Sequence, residues 1–290
     1  MNSMEDNICL ACEKKQERMF SYRKYNYYKC MNCSFVSTLP LPSNYQIRKH
    51  YDAKFRKGNY KLLLGSRDDY RSVYVDFVDR LEKYRKYHKI NKSSGSILDI
   101  GCFTGDLLEI MKERGYSVQG VELQKKAVDI ANKKLDGKVK RIDVMKAKFP
   151  GKFDVVIMTG LVEHLLHPVK LMERVSRFVK SGGVVFIQTP NSGSVLEKVL
   201  GRYWPPYEPV EHIHLFSKTS LILVLEKLGF TDIKIEKHFK KLPVSYVFQN
   251  MKNFGSEIFN IIRPIGNVVK NINISFPFYV GEMVVMARKK

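Results

Sequence analysis

No run of 18 apolar residues occurs in this 290-residue chain, so no membrane-spanning helix is expected. The longest charge-free candidate, residues 181–196, is interrupted by Gln188, Thr189, Pro190 and Asn191. The opening MNSMEDNICL lacks a basic-then-apolar arrangement, so no secretory leader is expected and the cytoplasm is the expected location. Tryptophan occurs once, cysteine five times, and glycine and proline are at ordinary levels (18 and 11). With 44% apolar and 27% charged residues, a disordered chain, a collagen-like fibre and a low-complexity array are excluded. No internal repeat is present. Acids are scarce: 29 against 50 Lys plus Arg, a formal charge of +21. The excess sits at the two ends, and the middle of the chain is nearly balanced. Such a balance attracts anionic partners or simply solvates a lysine-rich surface. Lysine outnumbers arginine more than twofold, which favours the second reading.

Four of the five cysteines, Cys9, Cys12, Cys30 and Cys33, form C-x2-C, 17 residues, C-x2-C. Each C-x-x-C turn aims two thiolates at one point, and two turns complete a tetrahedron, so one structural zinc ion is expected. A reducing compartment disfavours the alternative of disulfides. A segment this short cannot hold itself together by burial, so the metal would supply its folding energy.

The chain divides into three parts. Residues 1–42 read as a small zinc ribbon, with aromatic and basic residues between the cysteine pairs. Residues 43–95 read as a helical linker or cap. Its best piece, Asp69 to Tyr87, carries a stripe of Tyr70, Val73, Tyr74, Phe77, Val78, Leu81 and Tyr84. From residue 96 to 290, short apolar strands alternate with amphipathic helices. Strands are expected at 96–100, 117–122, 138–142, 153–158, 184–188, 231–237 and 279–287. Helices are expected between them, one of them at 169–179 and stopped by Gly182 and Gly183. That alternation implies an α/β fold with a doubly wound, mostly parallel, seven-stranded Rossmann-like sheet. Residues 240–277 read as an amphipathic insertion before the last strand.

The turn Leu98-Asp99-Ile100-Gly101-Cys102-Phe103-Thr104-Gly105 joins the first strand of this region to its first helix. Glycine is needed where backbone approaches a ligand closely. Asp99 ends the first strand and Glu122 ends the second, where an acid can accept both hydroxyls of a ribose. The middle glycine of G-x-G-x-x-G is missing, which argues against a dinucleotide with its pyrophosphate.

These segments resemble the class I S-adenosylmethionine-dependent methyltransferases. LDIGCFTG is similar to their first motif, VQGVEL to the second-strand motif, FDVVIMTGLVEHLLHP to the fourth-strand motif, and VKSGGVVFIQTPN to the fifth strand with its glycine turn. The closer likeness is to the sugar and small-molecule branch, which often joins a four-cysteine ribbon to this domain. The resemblance implies S-adenosylmethionine as cofactor. Asp99, Gly101, Cys102, Phe103 and Gly105 would surround its methionine end, and Glu122 with Leu123 its ribose. Asp143 and Val144 would meet its adenine, and Thr159 and Gly160 would line the methionine side. Phe103 departs from the family, which usually has glycine there.

For the acceptor side, Glu163, His164, His212 and His214 are the candidate catalytic residues. Close spacing on an extended loop is expected to turn His212 and His214 to one side, as a base and its orienting partner. Some related enzymes hold a metal with E-x-x-E-H plus a later histidine, but Gly160 occupies the first glutamate position, so no catalytic metal is expected. The leading reading is methylation of a small-molecule or glycan-type acceptor, a surface-polysaccharide sugar included. An anionic, nucleotide- or lipid-linked sugar would suit the basic ends. A second reading is RNA methylation, with Tyr22, Arg23, Tyr25, Tyr27, Tyr28 and Lys29 gripping a strand. A third is a zinc-ribbon binding module attached to an inactive sheet domain.

Overall fold

The computed structural model describes residues 7–56, 67–90, 95–243 and 275–290. Two sheets organise it. The larger has seven strands in the order β10-β11-β8-β7-β4-β5-β6. They are β4 (Ser96–Ile100), β5 (Ser117–Glu122), β6 (Val139–Arg141), β7 (Phe153–Thr159), β8 (Val179–Pro190), β10 (Phe230–Pro243) and β11 (Ser275–Lys289). Neighbours from β8 to β6 pair in parallel, and β11 runs antiparallel to both β8 and β10.

Because strand side chains alternate, one apolar run serves two cores. Val155, Ile157, Val184, Phe186, Val284 and Met286 face a cluster with Phe77, Leu81, Leu107, Leu108 and Met111. These come from α2 (Arg67–Tyr87) and α3 (Asp106–Glu113), and Ala131 and Leu135 of α4 (Lys125–Leu135) join them. The alternate residues Val156, Met158, Val185, Ile187, Met283 and Val285 face the other cluster. There Leu171 and Val175 of α5 (Pro168–Ser176) meet Leu221 and Val224 of α7 (Lys218–Lys227). Of the expected α2 stripe, Phe77, Val78, Leu81 and Tyr84 are buried and Val73 and Tyr74 half-buried, while the Tyr70 side chain lies outside what is described.

The smaller sheet is β1 (Gln16–Tyr22), β2 (Tyr25–Cys30), β3 (Val36–Leu39) and β9 (His214–Leu215), in that order. The ribbon is therefore built into the larger domain. Strand β3 pairs with β9, Val36 opposite Leu215 and Ser37 opposite His214. Cys9, Cys30, Cys33 and Phe35 sit in the same core as Met158, Phe216 and Leu221. Tyr27 packs with Trp204 and Tyr207 in a third cluster. The remaining described α-helices are α1 (Asn44–Arg56) and α6 (Val195–Leu200), and short 3-10 helices cover Val162–His164 and Gly201–Tyr203.

Two expectations are corrected. The helix expected at 169–179 ends at Ser176, and Gly182 and Gly183 lie inside β8. The pair forms an irregularity where pairing with β7 shifts between Phe153 and Val155. Gly182 has φ +75°, and a Cβ on Gly183 would lie 2.9 Å from Lys180 O and 3.0 Å from Asp154 O, so only glycine fits. The insertion expected at 240–277 is shorter, because β10 runs to Pro243 and β11 starts at Ser275. Its apolar positions, Val247 to Ile262, lie outside the described residues.

Candidate active site

The parallel strands β4, β5 and β7 end along one edge, in register: Asp99 is level with Gly120 and with Ile157. Two glycines frame the turn that leaves β4. Gly101 and Gly105 both have φ +75°. A Cβ on Gly105 would lie 2.8 Å from Leu135 Cδ1, and one on Gly101 3.2 Å from Leu161 Cδ1. The first contact seats α3 against α4, and the second closes the loop after β7 onto the turn. Phe103 has φ +47°, a left-handed conformation costly for an aromatic residue, which accounts physically for glycine being usual there.

The Phe103 N–H donates to Glu122 Oε2 at 3.1 Å. Glu122 Oε1 accepts from the N–H groups of Leu123 (2.7 Å) and Gln124 (2.8 Å). Three backbone donors thus pin a carboxylate beside the turn, with acceptor capacity left for hydroxyls. Asp99 is buried, its Oδ1 has no hydrogen-bond partner, and burial together with the charge of Glu122 pushes it up to about 8. A buried, unpartnered carboxyl oxygen at a strand end suits a cationic ligand group. The Cys102 thiol packs inward, at 2.7 Å from where a Cβ on Gly120 would sit, so only its backbone faces the turn. Leu123 is exposed.

Asp143, after β6, accepts the Met145 N–H at 2.8 Å, and Arg174 Nε holds the Val144 carbonyl at 2.8 Å. The two residues are half-buried. Thr159 ends β7, and Gly160 follows with φ +56° and its N–H on Gln188 O at 3.0 Å. A Cβ at Gly160 would come within 3.9 Å of both Gln188 Oε1 and Glu163 Oε1, so its absence opens the space between them.

Beyond Gly160 the structure brings three of the four acceptor-side candidates together. Glu163 is buried, and its Oε2 accepts from Thr189 Oγ1 at 3.1 Å. Burial raises its carboxyl above the usual range, with His164 pulling the other way. His164 Nε2 lies 3.7 Å from Glu163 Oε1, and the His164 and His212 rings are 5.0 Å apart. His164 Nδ1 contacts Glu211 O at 2.6 Å, and His212 Nδ1 contacts Pro206 O at 2.7 Å. A carbonyl only accepts, so each Nδ1 carries the proton and each Nε2 carries the lone pair. Ligand atoms of Glu163, His164 and His212 lie within 4.8 Å of one another, a donor set for a proton relay or a divalent cation.

His214 is elsewhere. It lies in β9, buried, stacked on Phe35 at 5.6 Å with Nδ1 3.3 Å from Ser37 Oγ, and burial lowers it to about 4. Pairing of β9 with β3 turns it into the ribbon joint, away from His212. Two further features were not read from the sequence. Tyr51 of α1 lies 5.9 Å from the His164 ring, and a buried pair forms where Gln188 Nε2 donates to Glu282 Oε2 at 2.6 Å. Burial opposes ionisation of Glu282, but Lys240 and His238 outweigh it and hold the carboxyl below its usual range. The one legible signal was an acid inside the apolar strand that follows Gly281.

All five cysteines are free thiols. Sγ of Cys9 lies 3.5 Å from that of Cys33, and Cys12 is 3.4 Å from Cys30, with all four sulfurs within 4.8 Å of one another. Zn–S bonds of about 2.3 Å in a tetrahedron put sulfurs about 3.8 Å apart, so the cluster fits such an ion.

An α/β domain of Rossmann-like architecture is what this sheet defines. The comparisons make it narrower. A model of the methyltransferase domain family matches residues 67–235, and the chain belongs to that family. The ubiquinone biosynthesis O-methyltransferase of Dechloromonas aromatica is 30% identical over 142 residues, 46% of this chain and 58% of that protein. The chain thus spans less than two thirds of this relative's length. Two solved structures share the fold. A SAM-dependent methyltransferase from Archaeoglobus fulgidus has 23% identity and a TM-score of 0.51, over 80% of this chain and 99% of that one. The magnesium protoporphyrin IX methyltransferase of Synechocystis PCC 6803, with bound SAH, has 14% identity and a TM-score of 0.56, over 85% and 100%. The seven-stranded class I methyltransferase fold expected from the motifs is the fold observed. Among the described residues, no helix is long and apolar enough to cross a membrane.

Proposed function

We propose that the chain is a cytoplasmic S-adenosylmethionine-dependent methyltransferase acting on a hydroxyl of a small-molecule acceptor, with structural zinc in the ribbon. One observation carries the reading: a carboxylate pinned by three N–H groups beside a left-handed glycine turn, next to a buried strand-end acid. Glu122 would hold the ribose, Asp99 and the Gly101–Gly105 turn the methionine end, and Asp143 with Val144 the adenine. The name of the Dechloromonas relative supports an oxygen acceptor.

S-adenosylmethionine, when bound, supplies an electrophilic methyl group on a sulfonium. The protein's own task is to orient the acceptor and take its proton. His212 is the base, because its Nδ1 proton is held by Pro206 O and its Nε2 keeps the lone pair. Glu163 stands within 3.7 Å of the neighbouring imidazole and orients it. His164, Tyr51 and Gly160 wall the space between acceptor and cofactor.

RNA methylation loses two of its expected contacts, although Tyr22 and Arg23 remain exposed. Tyr25 and Tyr27 are buried, the latter against Phe20 (4.8 Å) and Tyr207 (4.9 Å), so they are not a stacking platform. The test is calorimetric titration with S-adenosylmethionine, then labelled-methyl transfer to a phenol and to a nucleotide sugar in separate arms. A third arm offers RNA: absence of cofactor binding overturns the whole reading, and transfer to RNA alone overturns the acceptor.

A further inference from the structure

A second group of metal-ligating side chains lies beside the acceptor site and takes no part in the chemistry above. It comprises His50 on α1 and Glu208 and Glu211 on the loop before β9, with ligand atoms within 4.8 Å of one another. The loop is folded to present both acids together. Glu208 O accepts the N–H of Glu211 at 3.1 Å and of His212 at 2.7 Å, closing a turn that sets two carboxylates three residues apart. Across from them, His50 Nε2 points at Glu211 Oε2, 3.7 Å away. That nitrogen is shielded from solvent and makes no hydrogen bond. His50 is followed by Tyr51, whose ring meets His164 at 5.9 Å. The backbone of Glu211 in turn accepts His164 Nδ1–H at 2.6 Å.

We propose that His50, Glu208 and Glu211 bind a divalent cation that fastens α1 over the acceptor site. One imidazole and two carboxylates make a borderline-to-hard donor set, suited to Mn²⁺, Zn²⁺ or Mg²⁺ and unlike the thiolates of the ribbon. The three ligand atoms converge within 4.8 Å of one another, a spacing that one cation spans. The ligands come from two segments separated by more than 150 residues, so binding holds together what the chain alone brings side by side. The same backbone that carries Glu211 orients His164, and the residue after His50 walls His164. A cation here therefore acts on the acceptor site by position and touches no reacting atom. The set is distinct from Glu163, His164 and His212, which belong to the site already described.

The test does not depend on methyl transfer, so it can fail while the proposed function stands. Zinc-loaded full-length protein is titrated with Mn²⁺ alone, and free Mn²⁺ is followed by electron paramagnetic resonance. Hydrogen exchange of residues 44–53 is measured in parallel. One Mn²⁺ per chain is expected. His50→Ala and Glu208→Gln should each weaken it about tenfold or more, and Glu163→Gln should leave it within about twofold. Exchange in α1 should slow on Mn²⁺ addition in the parent and not in Glu208→Gln. Emission of the single tryptophan, Trp204, checks that each variant is folded. No Mn²⁺ binding at millimolar concentration overturns the proposal. So does binding that survives Glu208→Gln, or binding that is lost only in Glu163→Gln.

Discussion

The two halves of the large sheet assemble their sites from different distances along the chain. On the β4–β6 side, every site group lies between Asp99 and Val144, at a strand end or in the turn after it. On the β8–β11 side, the groups come from α1, the loop after β7, the stretch before β9 and β11, and the ribbon strands buttress them. The cofactor half draws its groups from one contiguous stretch of chain, although its helices share a core with α2, β7, β8 and β11. The acceptor half draws its groups from segments far apart in the chain. The Ile213 N–H donates to Glu163 O at 2.8 Å, and Thr38 N–H to Ile213 O at 3.0 Å, so Glu163, the His212 loop and β3 share one ladder. Ser192 Oγ donates to Ser34 O at 2.6 Å, and Ser217 Oγ donates to Cys33 O. The ribbon is a wall of the acceptor half.

The largest expected effect breaks that wall. Cys30→Ser should abolish metal retention, removing a share of the roughly 10–16 kcal/mol that structural zinc supplies to a small site. Trp204, buried against Tyr207 at 5.2 Å, should then shift its emission to the red. Cofactor binding should persist within about tenfold, because the site of that half lies across the sheet. Unchanged emission after metal removal would mean the two halves are equally independent.

The next effect separates the two histidines of one short stretch. His212→Ala should lower turnover by about 10²–10⁴ with little change in cofactor affinity, the typical contribution of a positioned base. His214→Ala should act through stability, by about 1–3 kcal/mol in denaturant titration, since it empties a buried place beside Phe35. Equal losses of turnover at equal stability would sink this division of roles.

In the cofactor half, Glu122→Ala should weaken cofactor binding by about 1–3 kcal/mol, measured by calorimetry. It should leave Trp204 emission unaltered. A red shift in that variant would show that the halves are coupled after all.

The smallest effect is a slope. Asp99 holds its proton in the folded chain up to about 8, so it ionises as pH rises through that region. A cationic methionine end binds the ionised form, so affinity should rise toward pH 8 by at most about tenfold per unit and then level off. Asp99→Asn should flatten the profile. By linkage, a carboxyl raised in the folded chain makes the ligand-free fold lose stability as pH rises from the ordinary carboxylate range to about 8, and the loss levels off above that. A profile identical in the two proteins removes Asp99 from the methionine end.

The strands and their order along the chain were legible because a buried parallel strand needs a short apolar run, and the run shows in the residues themselves. So were the turn at Gly101–Gly105, the place of Glu122 at its strand end and the gathering of four cysteines, whose positions depend on spacing along the chain. The glycine pair in β8 was misread because helix stop and strand bulge use the same residue. His214 was misread because alternation along an extended loop is overruled when that loop becomes a strand of another sheet.

The sequence by itself determined the α/β class, the cofactor turn with its strand-end acids, and the cysteine cluster. Each is a local pattern in which period or spacing dictates geometry. Only the tertiary structure decided that the ribbon is built into the catalytic domain, and that His212 joins Glu163 while His214 does not. It alone brought His50 to Glu208 and Glu211, and Tyr51 to His164. Those outcomes depend on which surfaces cover one another, and burial is a property of the packed chain that no stretch of residues carries alone.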